Sequence, residues 1–210
     1  MIKNIIFDFG GVLLNLDPES TFLELSEVLG IQMTEEHIPA HIFKVMLGYE
    51  KGEINTETFL WHLQKEATTL TPQPDKLIKA WNAMLLGWNP DRFAFLTELS
   101  KNYKVFLLSN TNELHIEWVI RDLKKTHKIT DFETRFFDRT FYSHNMKMRK
   151  PEEIIYKTVI KETGIVASET LFIDDNKNNV SAAISAGWKA IYHDPKTEII
   201  DQLPKYLKSI

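Results

Sequence analysis

Residues 1–15 read MIKNIIFDFGGVLLN, and the apolar run Ile5, Ile6, Phe7 leads straight into a carboxylate, Asp8, before the chain turns through Gly10 and Gly11. A segment this short, apolar without alternation and bounded by polar residues, is how a strand buried on both faces of a parallel sheet reads. Two more stretches repeat the design: KVFLL runs into Ser109, and TLFI runs into the adjacent acids Asp174 and Asp175. WKAIY at 188–192 is a fourth strand candidate. Helical segments separate these runs, with Pro90 and Pro151 expected in first helical turns and a further helix expected over 176–187. Strands alternating with helices in this way predict an α/β fold, a doubly wound, Rossmann-like parallel sheet.

Between Asp17 and Gly87 the pattern changes, because strand signals give way to helix-spaced apolar residues. Phe22, Leu25 and Leu29 recur at i, i+3, i+7, and Leu77, Trp81 and Leu85 at i, i+4, i+8. With Gly30, Gly48, Gly52 and Gly87 as punctuation, about four helices are expected. The domain reading is an α/β core over 1–16 and 89–210, with an all-helical cap over 17–88 inserted after the first strand. Its hinges are expected near 14–16 and 87–90.

A chain of 210 residues that is 43% hydrophobic can bury a full core. A formal charge of −4 offers no general attraction to nucleic acid or to an anionic membrane, so any anion must be held locally. The sequence has no cysteine, which excludes disulfides, thiolate metal sites and cysteine nucleophiles together. Without a signal-peptide pattern or an apolar run of the ~20 residues that a membrane span needs, a cytoplasmic location is expected.

In an open parallel sheet, ligands bind beyond the carboxyl ends of the strands, where strand order reverses. Asp8, Ser109, Asp174 and Asp175 are all expected at such ends. Three carboxylates brought together raise one another's pKa values unless a cation sits among them. Oxygen ligands of this kind favour Mg²⁺. Lys150, expected just before a proline-started helix, adds a positive charge near a helix N-terminus that itself attracts anions. The turn amides of Phe9, Gly10 and Gly11 are further anion donors. A metal, a lysine, a hydroxyl and free N–H groups around one carboxylate describe a phosphoryl site with Asp8 as nucleophile.

At this level of detail the chain resembles a family. FDFGGVL at 7–13, LLSNTN at 107–112, RKPEEIIY at 149–156 and FIDDNKNNVSAA at 172–183 are similar, in order and spacing, to the four motifs of the haloacid dehalogenase-like hydrolases. The resemblance covers the core, residues 1–16 and 89–193. Within the superfamily, the segments around Ser109 and Asp175 look most like bacterial phosphatases of α-D-glucose 1-phosphate. The resemblance implies Asp8 as the phosphorylated nucleophile and Ser109 and Lys150 as phosphate ligands, with Asn110 in the same loop. It also implies Asp175 as the main acidic Mg²⁺ ligand with Asp174 nearby, metal contacts from Asp8 and the Gly10 carbonyl, and a mobile cap. The substrate it implies is a small phosphate ester, with neither nucleic acid nor membrane as partner. The sequence leaves the oligomeric state open.

The departure is at Gly10, where phosphatases of this superfamily usually carry an aspartate that protonates the leaving group. Such acid–base help is worth roughly 10²- to 10⁴-fold. An anomeric hydroxyl leaves more readily than an ordinary alcohol, which makes a sugar 1-phosphate a chemically sensible substrate. Asp17 can be read as a replacement acid, but DPES is also a good helix start, with Asp17 as N-cap and Pro18 in the first turn. His115 can be read as reaching the crevice or as a helix residue packed elsewhere. His37 and His41 have zinc-like i, i+4 spacing but no third acidic ligand, and read more simply as helix residues. The run RDLKKTHK at 121–128 reads as a solvated helix face, Trp61, Trp81 and Trp88 as cap core with one of them able to line the substrate pocket, and Asn179 as a support for the acidic loop. Two rivals stand beside the phosphatase. A halide-releasing hydrolase needs no magnesium and leaves the Asp174–Asp175 pair unexplained. A weakly catalytic phosphate-binding module is favoured by Gly10.

Overall fold

The computed structural model describes residues 1–68 and 70–209. Five parallel strands form the central sheet: β1 (Asn4–Phe7), β4 (Lys104–Ser109), β5 (Arg139–Tyr142), β6 (Thr170–Asp174) and β7 (Lys189–Tyr192), in the spatial order β5-β4-β1-β6-β7. Because β1 lies between β4 and β6, chain direction across the sheet reverses there, and the crevice opens above its end. Phe7 is in register with Leu107 on one side and Ile173 on the other, which sets Asp8, Leu108 and Asp174 in one layer.

The unbroken apolar runs have a simple physical reason. Successive side chains of a strand point to opposite faces, and both faces are covered. Ile5, Phe7, Val105, Leu107, Leu171 and Ile173 belong to one buried cluster with α5 (Asp91–Leu99), α6 (Glu113–Asp122), α7 (Phe132–Phe136) and α11 (Ile199–Ser209). Ile6, Phe106, Leu108 and Phe172 belong to another with α9 (Glu153–Thr163) and α10 (Lys177–Ser185). A short helix, α8 (Ser143–Met146), follows β5.

Between β1 and β4 lie α1 (Pro18–Leu29), α2 (Ala40–Glu50), α3 (Thr56–Glu66) and α4 (Pro74–Trp81), all within the expected 17–88. They enclose a core of their own, with Leu25, Leu29, Ile42, Tyr49, Phe59, Leu63 and Leu77 buried. Tyr49 stacks on Phe59 with ring centroids 4.2 Å apart, and Phe59 meets Trp81 at 4.8 Å.

Several local expectations are corrected. A two-stranded antiparallel ribbon, β2 (Asn15–Leu16) against β3 (Leu85–Gly87), ties the two ends of the helical insertion together where only hinges were expected. Leu85 therefore belongs to a strand, not to the helix of Leu77 and Trp81, which ends at Trp81. β5 had no sequence reading. Gly48 lies inside α2. Pro90 takes the N-cap position of α5. α9 begins at Glu153, so Pro151 precedes that helix without starting it. His37 sits in a turn, its N–H donating to the Thr34 carbonyl at 3.0 Å, while His41 on α2 meets Glu66 at 2.8 Å. Trp88 packs against Phe9 and Phe132 of the sheet's core, and Trp61 is exposed, so of the three tryptophans only Trp81 is in the core of the insertion.

Candidate active site

The sheet delivers its polar residues to one place. Asp8 follows β1, and its N–H donates to the Ile173 carbonyl at 2.8 Å, which fixes the turn beside β6. Asp8, Asp174 and Asp175 each offer a carboxylate oxygen, and these three atoms lie within 4.8 Å of one another. Lys150 Nζ stands between them, 2.8 Å from Asp8 Oδ1 and 2.6 Å from Asp174 Oδ2, and also donates to the Leu108 carbonyl at 2.9 Å. Its side chain is 1% exposed, so this ammonium belongs to the crevice interior and not to the N-terminus of α9, as the sequence suggested.

A buried lysine has to be held. Asn110 does so with both ends of its amide: Nδ2 donates to the Lys150 carbonyl and Oδ1 accepts from the Lys150 N–H, each at 2.9 Å. Ser109, at the end of β4, is buried beside them. Asp174 is fully buried and saturated by donors, with Oδ1 accepting from the Asn176 N–H at 2.8 Å and from Asn179 Nδ2 at 3.0 Å. Asn179 thus supports the acidic loop as expected. Asp175 is half-buried and leans over Gly11. Gly11 has φ +71°, and a Cβ there would lie 2.0 Å from Asp175 Oδ2, so only glycine fits beneath the acidic loop.

Electrostatically the crevice carries more negative than positive charge, three carboxylates facing one ammonium. Burial, then the Asp174 charge, pushes the Asp8 carboxyl well above the usual carboxylate range, with Lys150 only partly offsetting them. Burial and Asp174 likewise raise Asp175 to about 6. Burial alone would lower the Lys150 ammonium, but Asp174 and Asp8 together outweigh it and hold it above its ordinary value. Closely set hard oxygen donors with unneutralised charge are the donor set that a divalent cation such as Mg²⁺ relieves.

The turn amides are used differently from the expectation. Phe9 N–H donates to Asp8 Oδ1 at 2.7 Å and Gly11 N–H to the Leu14 carbonyl at 2.9 Å. Of the three, Gly10 alone has no protein acceptor among the described residues. Nor does the backbone demand a glycine at position 10: a Cβ would lie 2.3 Å from Leu16 Cδ1, the far end of a flexible side chain. Leu16 occupies the space into which a side chain at position 10 would grow.

Both alternative acids are engaged with other partners. Asp17 is the N-cap residue of α1, with Pro18 in the first turn, and Oδ2 accepts from Ser20 Oγ at 2.6 Å. His115 is buried against Trp81, Nε2 lying 3.2 Å from the Trp81 carbonyl, and burial lowers its pKa to about 4.

Sequence reasoning did not find Glu50 and Arg149. Glu50 ends α2 and Arg149 immediately precedes Lys150; their side chains pair at 2.5 Å across the seam between the insertion and the sheet. Both line a cavity of about 250 Å³ that runs from Phe9, Gly10 and Ser109 into the insertion. The only signal in the sequence was a basic residue beside the candidate lysine.

A doubly wound sheet with an acidic crevice at its switch point marks the ligand site of an open α/β protein. The chain belongs to the haloacid dehalogenase-like hydrolases, whose family model matches residues 2–187. It is 26% identical over 215 residues to a D-ribitol-5-phosphate phosphatase of Bacteroides thetaiotaomicron, with all of both chains covered. It is also 26% identical to a sesquiterpene phosphatase of Aspergillus oryzae, over 90% of this chain and 89% of the relative. Among solved structures, the HAD-family enzyme bt-2542 of Bacteroides thetaiotaomicron, in complex with magnesium and inorganic phosphate, superposes with a TM-score of 0.83 at 30% identity, covering 95% of this chain and 98% of that one. No helix among the described residues is long and apolar enough to cross a membrane.

Proposed function

We propose that the protein is a Mg²⁺-dependent phosphatase of small phosphorylated metabolites that works through an aspartyl-phosphate on Asp8. The carrying observation is the cluster itself: Asp8, Asp174 and Asp175 within 4.8 Å around a fully buried lysine. Asp8, Asp175 and the Gly10 carbonyl would hold the metal. Asp174, already saturated by Lys150, Asn176 and Asn179, serves mainly to fix the lysine. Bound there, Mg²⁺ supplies charge neutralisation for the phosphoryl oxygens and for the acids themselves.

In the first step an Asp8 carboxylate oxygen attacks phosphorus, the bond from phosphorus to the ester oxygen breaks, and the alcohol leaves, taking its proton from water because position 10 carries no acid. Lys150, Ser109 and the Gly10 N–H stabilise the charge on the transferring group. In the second step water attacks phosphorus, regenerating the Asp8 carboxylate and releasing inorganic phosphate. The helical insertion acts as a cap over this crevice, pivoting at the β2–β3 ribbon. The absent acid favours esters whose leaving group needs little protonation, a sugar 1-phosphate being one. A phosphorylated carbohydrate is supported by the D-ribitol-5-phosphate phosphatase relative. The acidic pair and the two phosphatase relatives favour this reading over halide release.

The test is phosphate release from a panel of sugar, aryl and alkyl phosphates with Mg²⁺ and with chelator. Activity that survives chelation rejects the magnesium role, and absence of a fluoroberyllate adduct on Asp8 rejects the covalent route.

A further inference from the structure

A cavity opens beyond Ser109 from Phe9 and Gly10, beside the crevice, and its wall is mainly apolar. Leu16, Phe22, Phe43, Met46, Trp81 and Met84 form its wall. Several of the polar residues that also reach it are bonded to protein partners. Asn110 spends both amide ends on Lys150, and Asn112 Oδ1 accepts from Trp81 Nε1 at 3.2 Å and from the His115 N–H at 3.1 Å. His115 Nε2 faces the Trp81 carbonyl, and Glu50 is paired with Arg149.

Most hydroxyls of a polyol buried against this wall would lose their water and meet apolar side chains or bonded partners, which is unfavourable. A ring or branched hydrocarbon loses nothing polar and gains from burial. A volume of about 250 Å³ holds a body of one or two rings. We infer that this cavity selects phosphate monoesters with a compact apolar body, phenolic ones above all, over esters of polyhydroxylated alcohols. Gly10 points the same way from the other end of the substrate. With Leu16 filling the place of a leaving-group acid, a phenol, which departs as a stable anion, is the apolar leaving group best suited to the site. The inference rests on the phosphatase reading of the crevice, and it parts from the sugar 1-phosphate expectation in the body of the ester.

The test separates binding from turnover. The full chain carrying Asp8→Asn, with Mg²⁺ present, is titrated calorimetrically with 1-naphthyl phosphate, α-D-glucose 1-phosphate, D-ribitol 5-phosphate and inorganic phosphate. The expected result is that 1-naphthyl phosphate binds at least tenfold more tightly than each of the other three. Phe43→Asn, at a half-exposed position that tolerates a polar side chain, should remove most of that advantage, and Met84→Gln, at a second lining position, should do the same. The inference is overturned if either polyol phosphate binds as tightly as 1-naphthyl phosphate, or if 1-naphthyl phosphate binds no more tightly than inorganic phosphate. Failure of the phosphatase reading looks different: wild-type protein then fails to hydrolyse acetyl phosphate, which has no body to be selected.

Discussion

Replacing Gly10 by aspartate asks whether the missing acid is a deficit or merely a different design. The new Cβ would lie 2.3 Å from Leu16 Cδ1 and 3.3 Å from Leu16 Cγ, so Leu16 must rotate away. Overfilling of this kind costs about 1–3 kcal/mol. For a chain of this length that lowers the melting temperature by roughly 2–12 °C, at about 2–4 °C per kcal/mol. Leu16→Ala removes the clash, so Gly10→Asp with Leu16→Ala should recover part of that loss relative to Gly10→Asp alone. On the chemistry, an acid that reaches the ester oxygen should raise kcat for alkyl phosphates by up to about 10²-fold, or about 2.7 kcal/mol of barrier. Aryl phosphates, whose leaving group needs no proton, should change little. The assay is the dependence of kcat on leaving-group pKa across a series of phosphate esters, measured for wild type, Leu16→Ala and the double variant. The slope should flatten only in the double variant. A double variant that folds, binds inorganic phosphate and keeps the wild-type slope refutes the reasoning.

The other predictions follow from the crevice and from one buried histidine. Asp8→Asn should abolish turnover and the fluoroberyllate adduct, and should raise the melting temperature of the metal-free chain, because burial and Asp174 already push the Asp8 carboxyl above its usual range; a lower melting temperature counts against the excess-charge argument. Asp175→Asn should cost most of the activity and weaken Mg²⁺ binding by calorimetry, whereas Asp17→Asn, at a helix cap, should leave kcat within about threefold. His115, with a folded pKa of about 4 against 6.5 for the free side chain, is neutral in the fold and takes up a proton more readily once unfolded. Its contribution is therefore flat above pH 6.5 and costs stability as pH falls from 6.5 towards 4, by up to about 3 kcal/mol. Urea melts of His115→Gln should show a shallower loss over that window than wild type, and equal slopes would remove the histidine from the account.

How legible the fold was depended on how each strand is buried. β1, β4 and β6 are covered on both faces, so their apolar runs announce them, and each ends on or is followed directly by a polar residue of the crevice. β5, with sequence RTFY at the sheet's edge, keeps Arg139 exposed and carries no such run. The β2–β3 ribbon is too short for any periodicity to register, and Leu85 fell by accident on the helical phase of Leu77 and Trp81. At the site, Asp8, Asp174 and Asp175 were legible because adjacent acids after an apolar run need a cation or solvent. The burial of Lys150 was not, because it depends on an amide clamp from Asn110, 40 positions away in the chain. The walls of the cavity were also hidden: Phe22, Phe43 and Trp81 are separated by helices whose pairing only the tertiary structure settles.

The placement of Glu50 and Arg149 ties these levels together. The polar bonds between the insertion and the rest of the chain include Ser143 Oγ donating to the Glu50 carbonyl at 2.6 Å, Leu114 N–H donating to Tyr49 Oη at 3.2 Å, Trp81 Nε1 donating to Asn112 Oδ1 at 3.2 Å and Lys51 pairing with Glu152 at 3.1 Å, beside the packing of Leu114 into the insertion's core. Half-buried ion pairs and single hydrogen bonds of this kind contribute on the order of 1 kcal/mol each. A seam of such contacts would close without being locked, as the proposed capping role of the insertion requires. Arg149 is covalently next to Lys150, so the ion pair that ties the insertion to the sheet is anchored beside the ammonium that pairs with Asp8, the proposed nucleophile. The cavity is lined by Phe22, Met46 and Trp81 of the insertion and by none of the crevice acids, so on the proposed reading burial of an apolar body there would favour closure while the charges around Asp8 are left to phosphate and metal.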